Sequence, residues 1–173
     1  LWGFDRKSGK WRMLVDSTAL SSGKALSEAE KMQRERQRIG DLKGVVTYEW
    51  SADSQSVLVP LDGELFLVAL DGSSRKLGGA GADLLNPRLS PKGGFVAFVR
   101  GQRLWAGKTG GEAAPISPEE TAGTVHWGEA EFVAQEEMAR ITGYWWSPDD
   151  GHLAVERFDD APVGVVTRAA IGA

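Results

Sequence analysis

Two adjacent carboxylates and a run of arginines are the residues of this chain whose charges could do chemistry. The carboxylates, Glu136 and Glu137, stand in WGEAEFVAQEEMARITG, which has helix-forming composition over residues 129 to 141. On a helical wheel Glu136 lies beside Phe132 and Ala139, and Glu137 lies toward Val133 and Ile141, so neither occupies a purely polar face. Arg140 follows at i+4 from Glu136 and i+3 from Glu137. The plain reading of that spacing is a local ion pair worth roughly 0.3 kcal/mol. The arginines Arg34, Arg36 and Arg38 belong to SEAEKMQRERQRIG. Ser27 and Glu30 have capping-box spacing, good helix formers follow and Gly40 supplies a stop, which predicts one helix over residues 28 to 39. On that helix Ala29, Met32 and Ile39 cluster with Arg36, while Arg34 and Arg38 project from the opposite side. By composition it is a solvated helix laced with Glu and Arg pairs.

Other chemistry is absent by motif. No GxSxG nucleophile elbow, GxxxxGK[ST] phosphate loop, HExxH zinc helix or strand-linked GxGxxG occurs. The two histidines, His126 before a Trp and His152 after a turn, have no Ser or Asp placed around them by a known motif and read as structural. Asp149-Asp150-Gly151 lacks the distal ligands of a calcium loop and suits a hairpin turn, so no metal and no cofactor is assigned. Two adjacent glutamates on one helix cannot flank a glycosidic bond from opposite faces, which sets aside carboxylate catalysis on sugars.

The elements that must position these groups repeat. YEWSADSQSVLV, PRLSPKGGFVAF and YWWSPDDGHLAV share an aromatic or apolar strand, a Ser-led turn at Ser51, Ser90 or Ser147, and a second apolar strand. In the first two units a further signature, Leu65-Phe66 or Leu104-Trp105, follows 14 residues after the serine. Turn residues separate strands of five or six residues, and the 39-residue step from Ser51 to Ser90 is near the roughly 40–45 residues of a four-stranded propeller blade. The predicted fold is all-β, a partial β-propeller of two full four-stranded blades plus partial blades before and after them, with two short helical insertions. Blades are expected over residues 45 to 77 and 84 to 117. Propellers close with about four to eight blades, so the chain is expected to leave strand edges for something else to pair with.

The period breaks twice, once at each charged segment. Leu1 to Leu65 is 64 residues, 25 beyond the period, placing a helical insertion at about 20–40. Ser90 to Ser147 is 57 residues, 18 beyond it, placing the paired-Glu insertion at about 128–142.

Composition closes off some partners. A formal charge of −4 gives no global basic field for nucleic acid or anionic membrane, and the seven Trp are accounted for by blade packing rather than base stacking. No apolar run approaches the roughly 20 residues of a membrane span. The absence of cysteine excludes disulfides and leaves the redox compartment open. The chain opens on Leu1-Trp2 with no initiator Met or apolar leader and reads as starting mid-protein, so a missing signal peptide says nothing about export.

EFVAQEEMARITGYWWSPDDGHLAVERFDDAPV resembles the propeller segment of the dipeptidyl peptidase IV family that bears its paired glutamates, and SEAEKMQRERQR resembles the helical insertion of bacterial members. The resemblance implies that residues 1–173 are the N-terminal part of an eight-bladed propeller that caps an α/β-hydrolase domain. The Ser-Asp-His triad would lie downstream, so the chain itself would hold no catalytic residue. It further implies that Glu136 and Glu137 grip the free α-amine of a peptide substrate. An arginine of the inserted helix would contact the substrate backbone; Arg34 is chosen over Arg38 and Arg36 because it lies opposite the apolar stripe. The implied activity is release of N-terminal Xaa-Pro or Xaa-Ala dipeptides by a serine peptidase, in the periplasm or secreted. The implied partners are the peptide N-terminus, the hydrolase domain and the remaining blades, and the unpaired strand edges of an open arc of blades predict association with further copies as a homo-oligomer. The blade repeats by themselves suit equally a propeller of the TolB type acting as a protein-interaction module.

Overall fold

The computed structural model describes residues 1–40 and 42–166, so the stretch 167–173 of the expected 1–173 domain lies outside the described residues. The chain opens with an antiparallel hairpin of β1 (Trp2–Asp5) and β2 (Lys10–Met13). A single helical turn, α1 (Ser17–Leu20), and the longer α2 (Glu28–Arg36) follow. The first full sheet is β3 (Glu49–Trp50), β4 (Ser56–Leu61), β5 (Glu64–Ala69) and β6 (Ser74–Lys76), hydrogen-bonded in chain order. The second repeats it with β7 (Leu85–Leu89), β8 (Phe95–Arg100), β9 (Arg103–Lys108) and β10 (Ala114–Pro115). Then come β11 (Val125–Trp127), α3 (Phe132–Glu137), β12 (Tyr144–Trp146), β13 (Leu153–Val155) and β14 (Arg157–Asp159). This is the all-β, partial-propeller arrangement expected, with both predicted blades in place.

The central strands read as unbroken apolar runs because both faces are covered. Successive side chains of a strand point to opposite faces. Leu58 of β4 faces a cluster shared with Leu89, Val96 and Phe98 of the second blade, while its neighbours Val57 and Val59 face Leu14 and Val15 beside the first hairpin. In β8, Val96 and Phe98 look back to the first blade, while Ala97 and Val99 look forward to Tyr144, Trp127 and Trp146 of the third. Each blade is glued to its neighbours, every buried Val or Leu contributing about 1.5–3 kcal/mol.

The repeated turn serine has a structural cause. The Oγ of Ser51, Ser90 and Ser147 accepts the backbone N–H of Ser56, Phe95 and His152, at 3.0, 2.9 and 2.8 Å, which closes the turn that starts the next strand. The hydroxyl proton then goes to a carboxylate: Asp53 for Ser51, Asp149 for Ser147 and, across the blade boundary, Asp150 for Ser90.

The helices depart from the sequence reading in their ends. The capping box of α2 is formed, Ser27 Oγ accepting from Glu30 N and Glu30 returning to Ser27 N. The helix stops at Arg36 rather than running to Ile39, because Arg38 takes a left-handed conformation (φ 59°). Arg38 N–H then bonds Glu35 O, and Ile39 N–H bonds Arg34 O, a helix end usually built on glycine. Helix α1, an extra turn capped by Asp16, was not anticipated. The segment after it is pinned over the first blade, with Ser21 and Gly23 on the Asp62 carboxylate and Lys24 on Glu64.

Candidate functional site

The paired-Glu insertion leaves the third blade through a glycine neck. Strand β11 pairs with β14, and β12 pairs with β13, so the two halves of one hairpin arm share a continuous partner. Between the halves the chain loops out and returns. Gly128 N–H bonds Glu156 O at 3.0 Å, Glu156 N–H bonds Gly143 O at 2.7 Å, and Gly143 N–H bonds Gly128 O at 2.9 Å. Glu129 and Thr142 form a β-bridge just beyond. Both glycines are required. Gly128 has φ 82°, and a Cβ on Gly143 would stand 2.1 Å from Glu129 O.

Because the neck consumes residues 129 and 142, the helix within the loop is only Phe132–Glu137, shorter than the expected 129 to 141. Glu131 caps it, accepting from Val133 N and Ala134 N at 2.7 Å each. Ala139, with φ 51°, turns the chain back. Glu136 and Glu137 lie on the last turn, both exposed. The local ion pair with Arg140 is not made: Arg140 Nη1 instead binds Glu156 Oε2 at 2.6 Å. Glu136 Oε1 is 4.0 Å from Arg36 Nε, and Glu137 forms no ion pair among the described residues.

Helix α2 therefore meets α3, bringing the two breaks in the repeat together. Arg36 Nη1 donates to Gln135 Oε1 at 2.9 Å, and its guanidinium lies 5.4 Å over the Phe132 ring. Gln135, buried, spends its own amide N–H on Ala130 O. Gln33, one turn before Arg36, donates to Asn86 Oδ1 at 2.7 Å, and Asn86 Nδ2 donates to Ile141 O at 2.8 Å. The arginine brought to the glutamates is Arg36. Arg34, selected from the wheel for facing away from the apolar stripe, donates to Leu42 O at 3.3 Å on another side of the helix. The apolar stripe is the face that docks, Ala29 packing on the core beneath, so the arginine within that stripe is the one that reaches α3. Arg38 is used in the helix end.

Two cavities flank α2. The smaller, about 230 Å³, is lined by Arg34, Glu49, Asn86, Arg88 and Thr142 among others. Burial pushes the Glu49 carboxyl up, against the pull of Arg88 3.9 Å away and of Leu89 N–H. The larger, about 860 Å³, lies between α2, α3 and β14, lined by Met32, Arg36, Phe132, His126, Glu129 and Asp160 among others. His126 stacks on Phe158 at 4.6 Å. Its imidazole is held above the usual histidine value, first by the hydrogen bond to Glu129, 3.3 Å away, with Asp160 at 3.6 Å adding to it. Sequence reasoning missed Gln33, Asn86 and Gln135. Only Asn86-Pro87, breaking an apolar strand pattern, carried a signal, that of a bulge.

Residues 51–173 match the family of the dipeptidyl peptidase IV (DPP IV) N-terminal region. The chain belongs to that family. The DPP IV match spans the paired-Glu insertion, the whole second blade and the first blade from the turn after β3 onward. A crystal structure of Porphyromonas gingivalis dipeptidyl peptidase 4 superposes with a TM-score of 0.56 at 24% identity, over 83% of this chain and 22% of that one. That likeness is one of fold, and the present chain spans about a fifth of the solved relative's length. Among the described residues, no helix is long and apolar enough to cross a membrane.

Proposed function

We propose that this DPP IV family chain is the substrate-anchoring part of an exported serine peptidase that removes Xaa-Pro or Xaa-Ala dipeptides from peptide N-termini. Glu136 and Glu137 take the substrate's α-ammonium. The catalytic serine, aspartate and histidine are supplied by a hydrolase domain of the intact protein, and the chain by itself is inactive. The observation that carries this reading is the pair itself: two neighbouring carboxylates on a helix held out from the blade, one with no ion-pair partner among the described residues and one shared with Arg36. An ammonium placed between them makes charge-assisted hydrogen bonds. Carboxylates at a fixed depth then measure two residues from the scissile bond. For the arginine that reaches the substrate backbone, proximity to Glu136 favours Arg36 over Arg34.

The test is made on the intact protein with an Xaa-Pro substrate and its N-acetylated form. Hydrogen bonds to charged groups are worth about 1.5–3 kcal/mol, so Glu136→Ala and Glu137→Ala should each lower kcat/KM by roughly 10- to 150-fold for the free amine. The acetylated substrate has no cation to hold and should lose far less. Equal losses for both substrates would remove the anchoring role.

A further inference from the structure

The bulge in β7 holds the residue on which both insertions converge. The β7–β8 register shifts between Leu85 and Arg88, and Asn86 occupies the shift with φ 52°, a left-handed conformation that asparagine tolerates better than most residues. Only 8% of its surface is exposed. Both polar atoms of its side chain are engaged between the two insertions, Oδ1 accepting from Gln33 of α2 and Nδ2 donating to Ile141 O at the exit of the paired-Glu loop. Its backbone carbonyl shares the proton of the buried Tyr144 hydroxyl, on the first residue of β12, with Ala97 O. Three separate elements are thus fastened through one amide-bearing residue that touches neither glutamate.

We infer that Asn86 is a positioning residue: by tying α2 to the returning arm of the loop, it fixes the paired-Glu helix against the second blade and so sets where Glu136 and Glu137 stand. The amide suits the task because it donates in one direction and accepts in the other. An aspartate would keep the acceptor for Gln33 but would turn a carboxylate toward the Ile141 carbonyl. Helix α3 has six residues, and in the loop only the small Ala130 and Ala134 are buried apolar side chains while Phe132, Val133 and Met138 are exposed, so the loop has little apolar packing of its own to hold it.

The effect on catalysis rests on the reading of Glu136 and Glu137 as the ammonium site; the mechanical tie does not, and the experiment separates the two. Asn86→Asp and Gln33→Met are made in the intact protein, the second being a mild change on the helix surface that guards against misfolding of the first. Amide hydrogen exchange should quicken across residues 130–142 in both, with exchange in β4 and β8 unchanged. Unaltered exchange in the loop overturns the inference. Kinetically, each variant should raise KM for a free-amine dipeptidyl substrate by roughly 2- to 12-fold with kcat held, as expected for one hydrogen bond. In a Glu136→Ala/Glu137→Ala background the same changes should add nothing, because their effect passes through the glutamates. Losses that multiply in that background overturn the positioning role. If the glutamate variants themselves cost nothing while loop exchange still quickens, the ammonium reading fails and the tie stands.

Discussion

The hydroxyl of Ser90 donates to the carboxylate of Asp150, 2.6 Å away, across the seam between the second and third blades. The other two turn serines find an aspartate two residues on, Asp53 or Asp149. The second blade has Lys92 there, and the third blade lends Asp150 instead, which also accepts Lys92 N–H at 2.9 Å.

Asp150→Ala should therefore leave the buried Ser90 hydroxyl without its acceptor and destabilise the protein. Lys92→Asp supplies the missing carboxylate within the blade, as at Asp53 and Asp149, and should recover part of the loss. Urea unfolding of the two single variants and the double variant checks this; strictly additive losses would show that the seam contact has another role.

Gly143→Ala puts a methyl group 2.1 Å from a backbone carbonyl that is itself in the neck. Overpacking of that kind costs about 1–3 kcal/mol. The unfolding midpoint should fall, and exchange should quicken at Gly128, Gly143 and Glu156 before it does in β4. A neutral substitution would mean that the neck opens freely.

Arg140→Ala should not imitate the loss of either paired glutamate, since its partner is Glu156. Both side chains are only partly buried, and the coupling in a double-mutant cycle with Glu156→Gln should be about 1 kcal/mol or less. A cycle that couples Arg140 to Glu136 instead would contradict the geometry.

His126 should make stability depend on pH through Glu129 at the neck. The groups facing it are Glu129, Asp160 and Asp159, with Gln102 and the Phe158 ring as neutral neighbours. Its folded pKa is raised above the ordinary 6.5, so the protonated form is the one stabilised. That contribution is fully present below about pH 6.5 and is lost as pH rises through the folded value. His126→Phe keeps a ring against Phe158 and removes the proton. The thermal midpoint of this variant should change less than wild type between about pH 5.5 and pH 8.5. Identical pH profiles would remove His126 from the account.

The sequence made the blades legible because strand alternation and turn chemistry are local codes: the apolar runs 57–59 and 95–99 and the turns at Ser51 and Ser90 keep the period, and the turn at Ser147 keeps the same chemistry after the insertion. The start of α2 was equally legible, since a capping box is written in four consecutive residues. Its end was not. Arg38 in a left-handed conformation defeats the rule that glycine stops a helix, and Gly40 falls after the turn is complete. The pairing of Arg140 was misread for a related reason. Helical spacing offered Glu136 and Glu137, while Glu156 is distant in sequence and is brought close only by the returning hairpin. Likewise the wheel showed the apolar stripe of α2, but composition read the helix as solvated, and nothing local said that α3 would meet that stripe.

Gly128 and Gly143 meet at the same partner, Glu156, so the ladder that ends with Trp127 opposite Arg157 resumes with Tyr144 opposite Val155. The loop between them can change in length or content without re-registering a single strand. The paired glutamates therefore stand on an excursion that the strand ladder does not need, held instead against α2 and the second blade.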